Sequence, residues 1–316
     1  MKRSVIVLCA GLAALAETSF DGLANRFAND RSQPPDEKVS PVEGRAGVRL
    51  FDYSFASPVA GRVPGILVTP DRRGRFPVIL FGHWMMNGSP MKNHKEFLEE
   101  AVVLARAGVI CLLLDAPLVR AGVVEDPELM HGQEANAALQ MAREWRRALD
   151  LMLARPDADG GRVAYVGHSF NSGVGAKLMA VEKRIQSFVL MAGVYSLREF
   201  VFDEQNKALV EWRKKVGDPA VRAFLEKFPW EDSLEFAKRS GPAAVFLQNG
   251  RHDEDIPESI VRKSFEYFQQ PKRLEMYDAG HELNSTARTD RVKWLQERLK
   301  LEGVDFAALD LIPQLH

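Results

Sequence analysis

The sequence of 316 residues is poor in cysteine and has no excess of charge of either sign. Its 2 cysteines, Cys9 and Cys111, allow at most one internal disulfide. Lysine and arginine number 42 against 43 aspartates and glutamates, a formal net charge of −1. This balance gives no electrostatic reason to expect nucleic acid or an anionic membrane as a partner. The sequence also lacks internal repeats and low-complexity tracts, which excludes a repeat architecture.

No uncharged apolar run reaches the length of about 20 residues that a membrane span needs. The N-terminus has a basic start, an apolar run from Ser4 to Ala16 and small residues before Glu17. This layout is typical of a secretory signal peptide. We therefore expect residues 1–16 to be removed and the mature protein to be periplasmic or secreted, without a membrane span. An amphipathic first helix on a cytoplasmic protein is the alternative.

Removal of this leader would take Cys9 with it and leave Cys111 as the one remaining cysteine. The mature chain could then form no internal disulfide. Cys111 lies in the apolar run "VICLLLDAP", which has the pattern of a buried strand. We predict a small core residue there and not a reactive thiol.

Alternating strand and helix patterns predict the fold class. Hydrophobic residues make up 46% of the chain, which suits a sizeable core. From residue 76 onward, apolar runs such as "FPVILFGHW" and "AAVFLQNG" alternate with helical patterns. This order predicts an α/β fold with a mostly parallel sheet and helices on both faces. The runs "VRLFDYSFAS" and "RVPGILVTP" predict a leading antiparallel hairpin. We expect a lead-in segment over residues 17–44 and one domain over residues 45–316.

Helix-end signals and one long crossover refine this scheme. Asn93 is predicted to cap a helix that Gly108 ends, and another helix is expected from about Ser172. Residues 195–239 exceed what a crossover needs, and "LVEWRKKV" and "AVRAFLEKF" predict a small helical insertion. Its large aromatic residues are Trp212, Phe224, Phe228 and Trp230. They are expected either to cover a site as a lid or to pack against the sheet.

Three predicted strands end in residues with reactive side chains. Ser169 follows "RVAYV", Asp253 follows "AAVFLQNG", and His281 follows "RLEMYDAG". Ligands bind beyond the carboxyl ends of the strands in sheets of this kind. We therefore expect these three side chains to share one site, in the chain order serine, acid, histidine.

This order, with a serine on a strand-to-helix turn, resembles the α/β-hydrolases over about residues 45–300. The stretch "LARPDADGGRVAYVGHSF" is similar to the branch containing dienelactone hydrolases, acetyl xylan esterases and related serine esterases. The stretch "FLQNGRHDEDIP" resembles the acid loop of that branch, with Gly250, Asp253, Ile256 and Pro257 in register. The resemblance implies an α/β-hydrolase fold and a serine–histidine–acid triad.

The triad roles follow from the chemistry of each side chain. A serine hydroxyl is a weak nucleophile until a base takes its proton, so Ser169 needs His281. A carboxylate then fixes the tautomer of the imidazole and stabilises the imidazolium. The acid loop offers Asp253, Glu254 and Asp255, and the resemblance favours Asp253.

Negative charge on the substrate oxygen requires preset N–H donors. The resemblance implies the backbone amide of Phe170 as one donor, because it follows the nucleophile. The second is expected from the loop after "PVILFGH", at Trp84, with Met85 as the second choice. Trp84, Met85 and Met86 are also predicted to form an apolar acyl pocket, and core packing is the competing interpretation.

The nucleophile motif is unusual. It usually reads Gly-x-Ser-x-Gly, but the final glycine is replaced here by Asn171. Asparagine tolerates unusual backbone angles, so we predict a tolerated variation that does not abolish activity. His83 and His168 flank the oxyanion loop and the nucleophile, and we expect them to orient backbone or close the core rather than act as bases.

These patterns predict a serine hydrolase that cleaves a small-molecule carboxylic ester through an acyl-enzyme. The histidines show no metal-ligand spacing, so no metal and no cofactor are expected. One alternative is a small serine peptidase or amidase of the same fold. Another is a noncatalytic binding protein on a hydrolase fold, although all three triad residue types are retained. The sequence predicts neither the acyl and alcohol groups nor the oligomeric state.

Overall fold

A computed structural model describes residues 19–42, 44–86, 88–123 and 130–314. The predicted signal peptide at residues 1–16 lies outside the described residues. The strands are β1 (Lys38–Pro41), β2 (Val48–Ala56), β3 (Arg62–Pro70), β4 (Phe76–Gly82), β5 (Ile110–Leu114), β6 (Ala158–His168), β7 (Ser187–Met191), β8 (Ala244–Gly250) and β9 (Lys272–Tyr277). The helices are α1 (Phe20–Asn25), α2 (Leu98–Arg106), α3 (Met130–Leu153), α4 (Phe170–Val181), α5 (Leu197–Val201), α6 (Lys207–Val216), α7 (Asp218–Lys227), α8 (Leu234–Ala237), α9 (Glu258–Phe265), α10 (Ser285–Leu299) and α11 (Phe306–Asp310), with a 3-10 turn at Pro117–Val119.

The described strands form one sheet in the order β1-β2-β3-β5-β4-β6-β7-β8-β9. Strands β1, β2 and β3 pair antiparallel with one another, and β3 pairs antiparallel with β5. The remaining pairs, from β5 through β4 to β9, are parallel. The predicted mostly parallel sheet with a leading antiparallel hairpin is therefore confirmed.

Helices cover both faces of the sheet. On one face, Met141 and Trp145 of α3 are fully buried in a core that continues into α4. On the other face, Val103 of α2 and Leu295 of α10 pack against the sheet. Strands β4, β5 and β8 are buried at every residue, which explains their continuous apolar sequences. Cys111 of β5 is one of these buried residues, which confirms the prediction of a small core residue at this position.

Two helix starts differ from the sequence prediction. Helix α2 begins at Leu98, and the side-chain oxygen of Asn93 instead accepts the amide of Lys95 in a preceding turn. Asn side chains stabilise local turns as well as helix N-termini, so the sequence alone did not distinguish the two, and Asn93 stabilises a turn. Helix α4 begins at Phe170, two residues before Ser172, directly after the strand.

The lead-in segment contains two elements that the sequence pattern did not indicate, α1 and β1. Strand β1 is exposed at all of its residues, so it carries no alternating apolar signal. The segment nevertheless contributes Phe27, which is fully buried in the main core. Among the described residues, no helix combines the length and apolarity that crossing a membrane requires.

The predicted insertion, residues 195–239, contains helices α5 to α8. Its aromatic residues divide into two groups. Phe228 and Trp230 are buried in the main core beside α3. Trp212 and Phe224 line a separate cavity inside the insertion. Two of the four proposed lid residues are therefore core residues, and the other two line this cavity while packing against neighbouring apolar clusters.

Candidate active site

Ser169 lies on a sharp turn between strand β6 and helix α4. Its backbone has φ +53° and ψ −112°, a strained conformation for a residue with a side chain. The turn is held by the amide of Ser169, which donates to the carbonyl of Met191 over 2.9 Å. Gly167 permits the close approach of strand and helix, since an added Cβ would lie 2.4 Å from the carbonyl oxygen of Asn171. This is the backbone geometry of a nucleophile elbow.

The acid loop places Asp253 against His281. The Oδ2 atom of Asp253 lies 2.9 Å from Nδ1 of His281, and its Oδ1 atom accepts the amides of Asp255 and Ile256 at 2.9 and 3.0 Å. The carboxylate of Asp255 is 4.0 Å from the same ring nitrogen, and its side chain is 68% exposed. Gly250 lets the histidine loop approach the end of β8, because an added Cβ would lie 2.2 Å from two of its carbonyl oxygens.

Asp253 also sets the protonation of His281. Burial alone lowers the pKa of this imidazole, but the hydrogen bond and the negative charge of Asp253 outweigh burial and raise its pKa above the usual value. Asp255 and Glu282 add smaller effects in the same direction. Because Nδ1 faces a carboxylate, we assign its proton there, which leaves Nε2 as the atom that can accept a proton.

The structure does not support Trp84 as an oxyanion donor. Its backbone amide already donates to Oε2 of Glu96 over 2.6 Å. Its indole is 1% exposed and lies in parallel stacks with the rings of His168 and His281, at centroid distances of 5.1 and 6.5 Å. The prediction that Trp84 lines the substrate pocket is not supported either, because this side chain is buried against the rings of His168 and His281.

Met85, the second choice, fits the position better. A cavity of about 260 Å³ is lined by Met85, Ser169 and Phe170, and we call it the nucleophile cavity. The amide of Phe170 begins helix α4, and the first amides of a helix have no carbonyl partner within it. The side chain of Met86 is half-buried and is not among the residues that line this cavity.

A buried pair that the sequence analysis missed joins three loops of the site. Oε1 of Glu96 lies 2.6 Å from Nδ1 of His168, and Nε2 of His168 lies 2.9 Å from the carbonyl oxygen of His281. Both ring nitrogens of His168 therefore face oxygen atoms. Glu96 also accepts the amide of Trp84. The pair thereby connects the loop after β4, the elbow after β6 and the loop that carries His281.

Asn171 is fully buried and makes hydrogen bonds with its side chain on both sides. Its Nδ2 donates to the carbonyl of His83 over 2.8 Å, and its Oδ1 accepts from Nε1 of Trp145 over 3.2 Å. Space for this side chain comes from Gly82, where an added Cβ would lie 2.5 Å from it. The effect of Asn171 on activity stays a prediction, but the structure shows that its side chain is an integral part of this local packing.

His83 and His168 orient backbone groups, as predicted. Nε2 of His83 accepts the amide of Ala116 over 2.9 Å, and its Nδ1 faces the carbonyl of Trp84 at 2.5 Å. Burial lowers the pKa of His83, which favours the neutral ring that these two contacts require. These contacts of His83 hold the first residues of the loop that follows strand β4.

One group of side chains has the spacing of metal ligands within the described ranges. Ligand atoms of Asp253, Asp255 and His281 all lie within 4.8 Å of one another. Two of the three are already joined by the hydrogen bond between acid and base, and the third is exposed. This donor set is accounted for by the pairing of Asp253 with His281.

The far wall of the nucleophile cavity is polar. Lys177 and Glu231 both line it, and Glu134 joins them. Burial lowers the pKa of Lys177 and raises the pKa of Glu231, so both groups are shifted toward their neutral forms. Nothing in the sequence pattern indicated this pair, because the two residues lie on different elements.

Comparison with solved structures places this geometry among known folds. The acetyl xylan esterase of Paenibacillus sp. R4 superposes with a TM-score of 0.68 at 19% identity, covering 88% of this chain and 92% of that one. Acetyl xylan esterase 1 of Thermoanaerobacterium sp. JW/SL YS485 gives a TM-score of 0.70 at 17% identity, covering 89% and 93%. A putative dipeptidyl aminopeptidase IV of Bacteroides ovatus gives 0.58 at 12% identity, with 86% of this chain but 36% of that one covered.

No family model and no curated protein matches the sequence. The structural likeness extends over most of the chain, and with the strand order it supports one fold. The resemblance noted in the sequence is thus confirmed for the architecture. The chain has the α/β-hydrolase fold.

Proposed function

We propose that the protein is a serine hydrolase that cleaves a carboxylic ester of a small molecule through an acyl-enzyme intermediate. The observation that carries this proposal is the hydrogen bond of 2.9 Å between Asp253 and His281, taken together with the strained elbow conformation of Ser169. In the proposed triad, Ser169 is the nucleophile and His281 is its general base. The carboxylate of Asp253 orients the imidazole and stabilises the imidazolium that forms.

In the proposed reaction, Oγ of Ser169 attacks the ester carbonyl carbon while Nε2 of His281 takes the proton of the serine hydroxyl. The oxyanion of the tetrahedral intermediate receives hydrogen bonds from the amides of Phe170 and Met85. Its collapse breaks the bond to the alcohol oxygen, which leaves with the proton from His281. Water, activated by the same histidine, then attacks the acyl-enzyme, releases the carboxylic acid and restores Ser169.

The similar structures with the higher TM-scores support an ester substrate for this protein over an amide substrate. Two of them are named as acetyl xylan esterases and match this chain over nearly their whole length. The neighbour named as a putative peptidase matches over 36% of its own length. These likenesses support an esterase at the level of reaction type and leave the acyl and alcohol groups to be measured.

The test is hydrolysis of p-nitrophenyl acetate beside acetyl p-nitroanilide, with labelling by a fluorophosphonate. Wild type is expected to cleave the ester, to leave the anilide nearly intact and to be labelled. Ser169→Ala should lose both hydrolysis and labelling, whereas Ser172→Ala, three residues on, should keep both. Labelling that persists in Ser169→Ala contradicts the assigned nucleophile, and a wild type that neither labels nor hydrolyses is a binding protein.

We also propose that the leader over residues 1–16 directs export. Expression of the whole chain in a bacterium, followed by intact-mass measurement, is expected to give a product that begins after Ala16 and lies outside the cytoplasm. A product that begins at Met1 or Lys2 and stays in the cytoplasm favours the amphipathic-helix alternative.

A further inference from the structure

We propose that the cavity inside the helical insertion binds the acyl chain of the ester, so that the substrates are esters of medium- and long-chain acids. This inference rests on the proposed ester hydrolysis at Ser169. It names a substrate class beyond the acetyl group in the names of the similar esterases.

The insertion cavity, as we call it, has a volume of about 540 Å³ and lies among helices α5, α6 and α7. Ten of its twelve lining residues are apolar, including Leu197, Trp212, Val221, Phe224 and Leu225. Its size falls within the range of small-molecule pockets and exceeds what an acetyl group fills. An apolar ligand of extended shape is what this lining can bind.

The insertion cavity adjoins the nucleophile cavity directly. The two share Leu197, Glu134 and Glu231 in their walls, so the boundary between them consists of the same side chains. On the near side of that boundary lies Ser169, and on the far side lies apolar space. A chain attached to the reacting carbonyl can therefore extend from one cavity into the other.

The direction of this path favours the acyl part of the ester over the alcohol part. The nucleophile cavity follows one face of helix α4, because Phe170, Gly173 and Lys177 line it at helical spacing. The leaving alcohol must receive its proton from His281, so it has to lie beside that ring. Neither Asp253 nor His281 lines either cavity, so a chain that runs from Ser169 into the insertion cavity does not pass along the base.

The boundary between the two cavities is polar on one side, where burial favours the neutral forms of Lys177 and Glu231. Oε2 of Glu231 is buried without a hydrogen-bond partner among the described residues, close to the buried Lys177. Burial raises the pKa of Glu231 and lowers that of Lys177, which favours uncharged forms beside the passage. Leu197 belongs to both cavities and supplies an apolar wall on which a methylene chain can pack.

The first test varies chain length on each side of the ester separately. Full burial of each added methylene raises kcat/KM by about fourfold, so even partial burial accumulates over several carbons. For p-nitrophenyl esters we expect kcat/KM to rise at least tenfold from acetate to octanoate. For acetates of alcohols of increasing length we expect a change of less than threefold. A best rate on p-nitrophenyl acetate, or a rise along the alcohol series instead, overturns the inference.

The second test fills the cavity. Ala220→Trp and Val221→Trp place an indole at residues that line it, and both should lower the octanoate-to-acetate ratio of kcat/KM at least tenfold. Ala223→Trp is the matched control, because Ala223 is exposed on the same helix and does not line the cavity. Its ratio should equal that of wild type. Ala220 is itself exposed, so Ala220→Trp decides the matter if Val221→Trp does not fold.

Failure of this inference differs from failure of the proposed function. Rapid hydrolysis of acetate with slow hydrolysis of octanoate rejects the acyl cavity and keeps the esterase. Ratios that stay unchanged in the folded cavity variants reject it as well. Absence of hydrolysis on every ester, together with no fluorophosphonate labelling of Ser169, rejects the esterase and the acyl cavity with it.

Discussion

The side-chain amide of Asn171 donates to the backbone carbonyl of His83 over 2.8 Å, joining the helix behind the nucleophile to the loop after strand β4. That loop continues through Trp84 to Met85, the proposed second oxyanion donor. The residue that replaces the usual glycine therefore holds the oxyanion loop at its first carbonyl. Gly82, on the facing strand, provides the space that the motif would ordinarily gain from a glycine in the helix.

Asn171→Gly should destabilise the protein and lower its activity, although it restores the usual motif. The change leaves the buried carbonyl of His83 and Nε1 of Trp145 without their partner, at about 1–3 kcal/mol for each group. We expect the free energy of unfolding to fall by about 3 kcal/mol and kcat to fall roughly tenfold, as one oxyanion donor becomes less well placed. Chemical denaturation and ester kinetics measure the two effects.

Ser172→Ala provides the control for this variant. Its hydroxyl lies 2.8 Å from that of Tyr195, equally buried but away from the oxyanion loop. We expect a loss of about 1 kcal/mol and kcat within twofold of wild type. Unchanged stability or a gain in activity for Asn171→Gly would contradict the role assigned to Asn171.

The sequence was sufficient to predict features that depend on local patterns. Continuous apolar runs predicted the buried strands, and the order of strands and helices predicted a mostly parallel sheet. The acid loop placed Asp253, rather than Asp255, in register with the related loops. In the structure, the carboxylate of Asp253 lies 2.9 Å and that of Asp255 4.0 Å from Nδ1 of His281.

The rest depends on contacts between residues far apart in the chain. Glu96 meets Trp84 across 12 residues and His168 across 72, so no local window contains the pair. Trp84 was predicted to be an oxyanion donor because it occupies the right place in the loop. The amide of Trp84 instead donates to Glu96, which lies 12 residues further along the chain, so the amide is already occupied.

Asp253→Asn should reduce kcat by a factor on the order of 10⁴, as in an analogous triad, because the imidazole loses the partner that fixes its tautomer. Asp255→Asn keeps that partner and should reduce kcat less than threefold. Both substitutions remove one negative charge from the same loop, so the comparison isolates the hydrogen bond. Steady-state hydrolysis of p-nitrophenyl acetate measures both, and a larger loss in Asp255→Asn would reassign the acid.

The pH profile of kcat/KM should report the raised pKa of His281. Only the neutral imidazole can accept the proton of Ser169, so activity rises with pH through the pKa of this histidine. Since Asp253 holds that pKa above its ordinary value, we expect the acid limb to have its midpoint above pH 6.5. In Asp253→Asn, burial alone remains as the main influence, and the residual activity should have its midpoint below pH 6.5. A shift toward higher pH in that variant would contradict the assignment.

Glu96→Ala should damage both stability and catalysis, because it leaves the amide of Trp84 and the ring of His168 without their shared partner. Removing one member of a buried pair of this kind costs about 3 kcal/mol or more. The carbonyl of His281 faces Nε2 of His168, so His281, the proposed base, also loses part of its support. We expect kcat to fall at least tenfold with little change in KM, measured on p-nitrophenyl acetate.

Glu96→Gln distinguishes positioning from bulk packing. Its side-chain oxygen can still accept the amide of Trp84, while its NH₂ group donates to Nδ1 of a neutral His168, whose Nε2–H still reaches the carbonyl of His281. Both connections survive without the charge, so stability and kcat should recover to within about threefold of wild type. If Gln is as damaging as Ala, the negative charge matters and not the connection. Wild-type kcat in Glu96→Ala would exclude any role of this pair in holding the site.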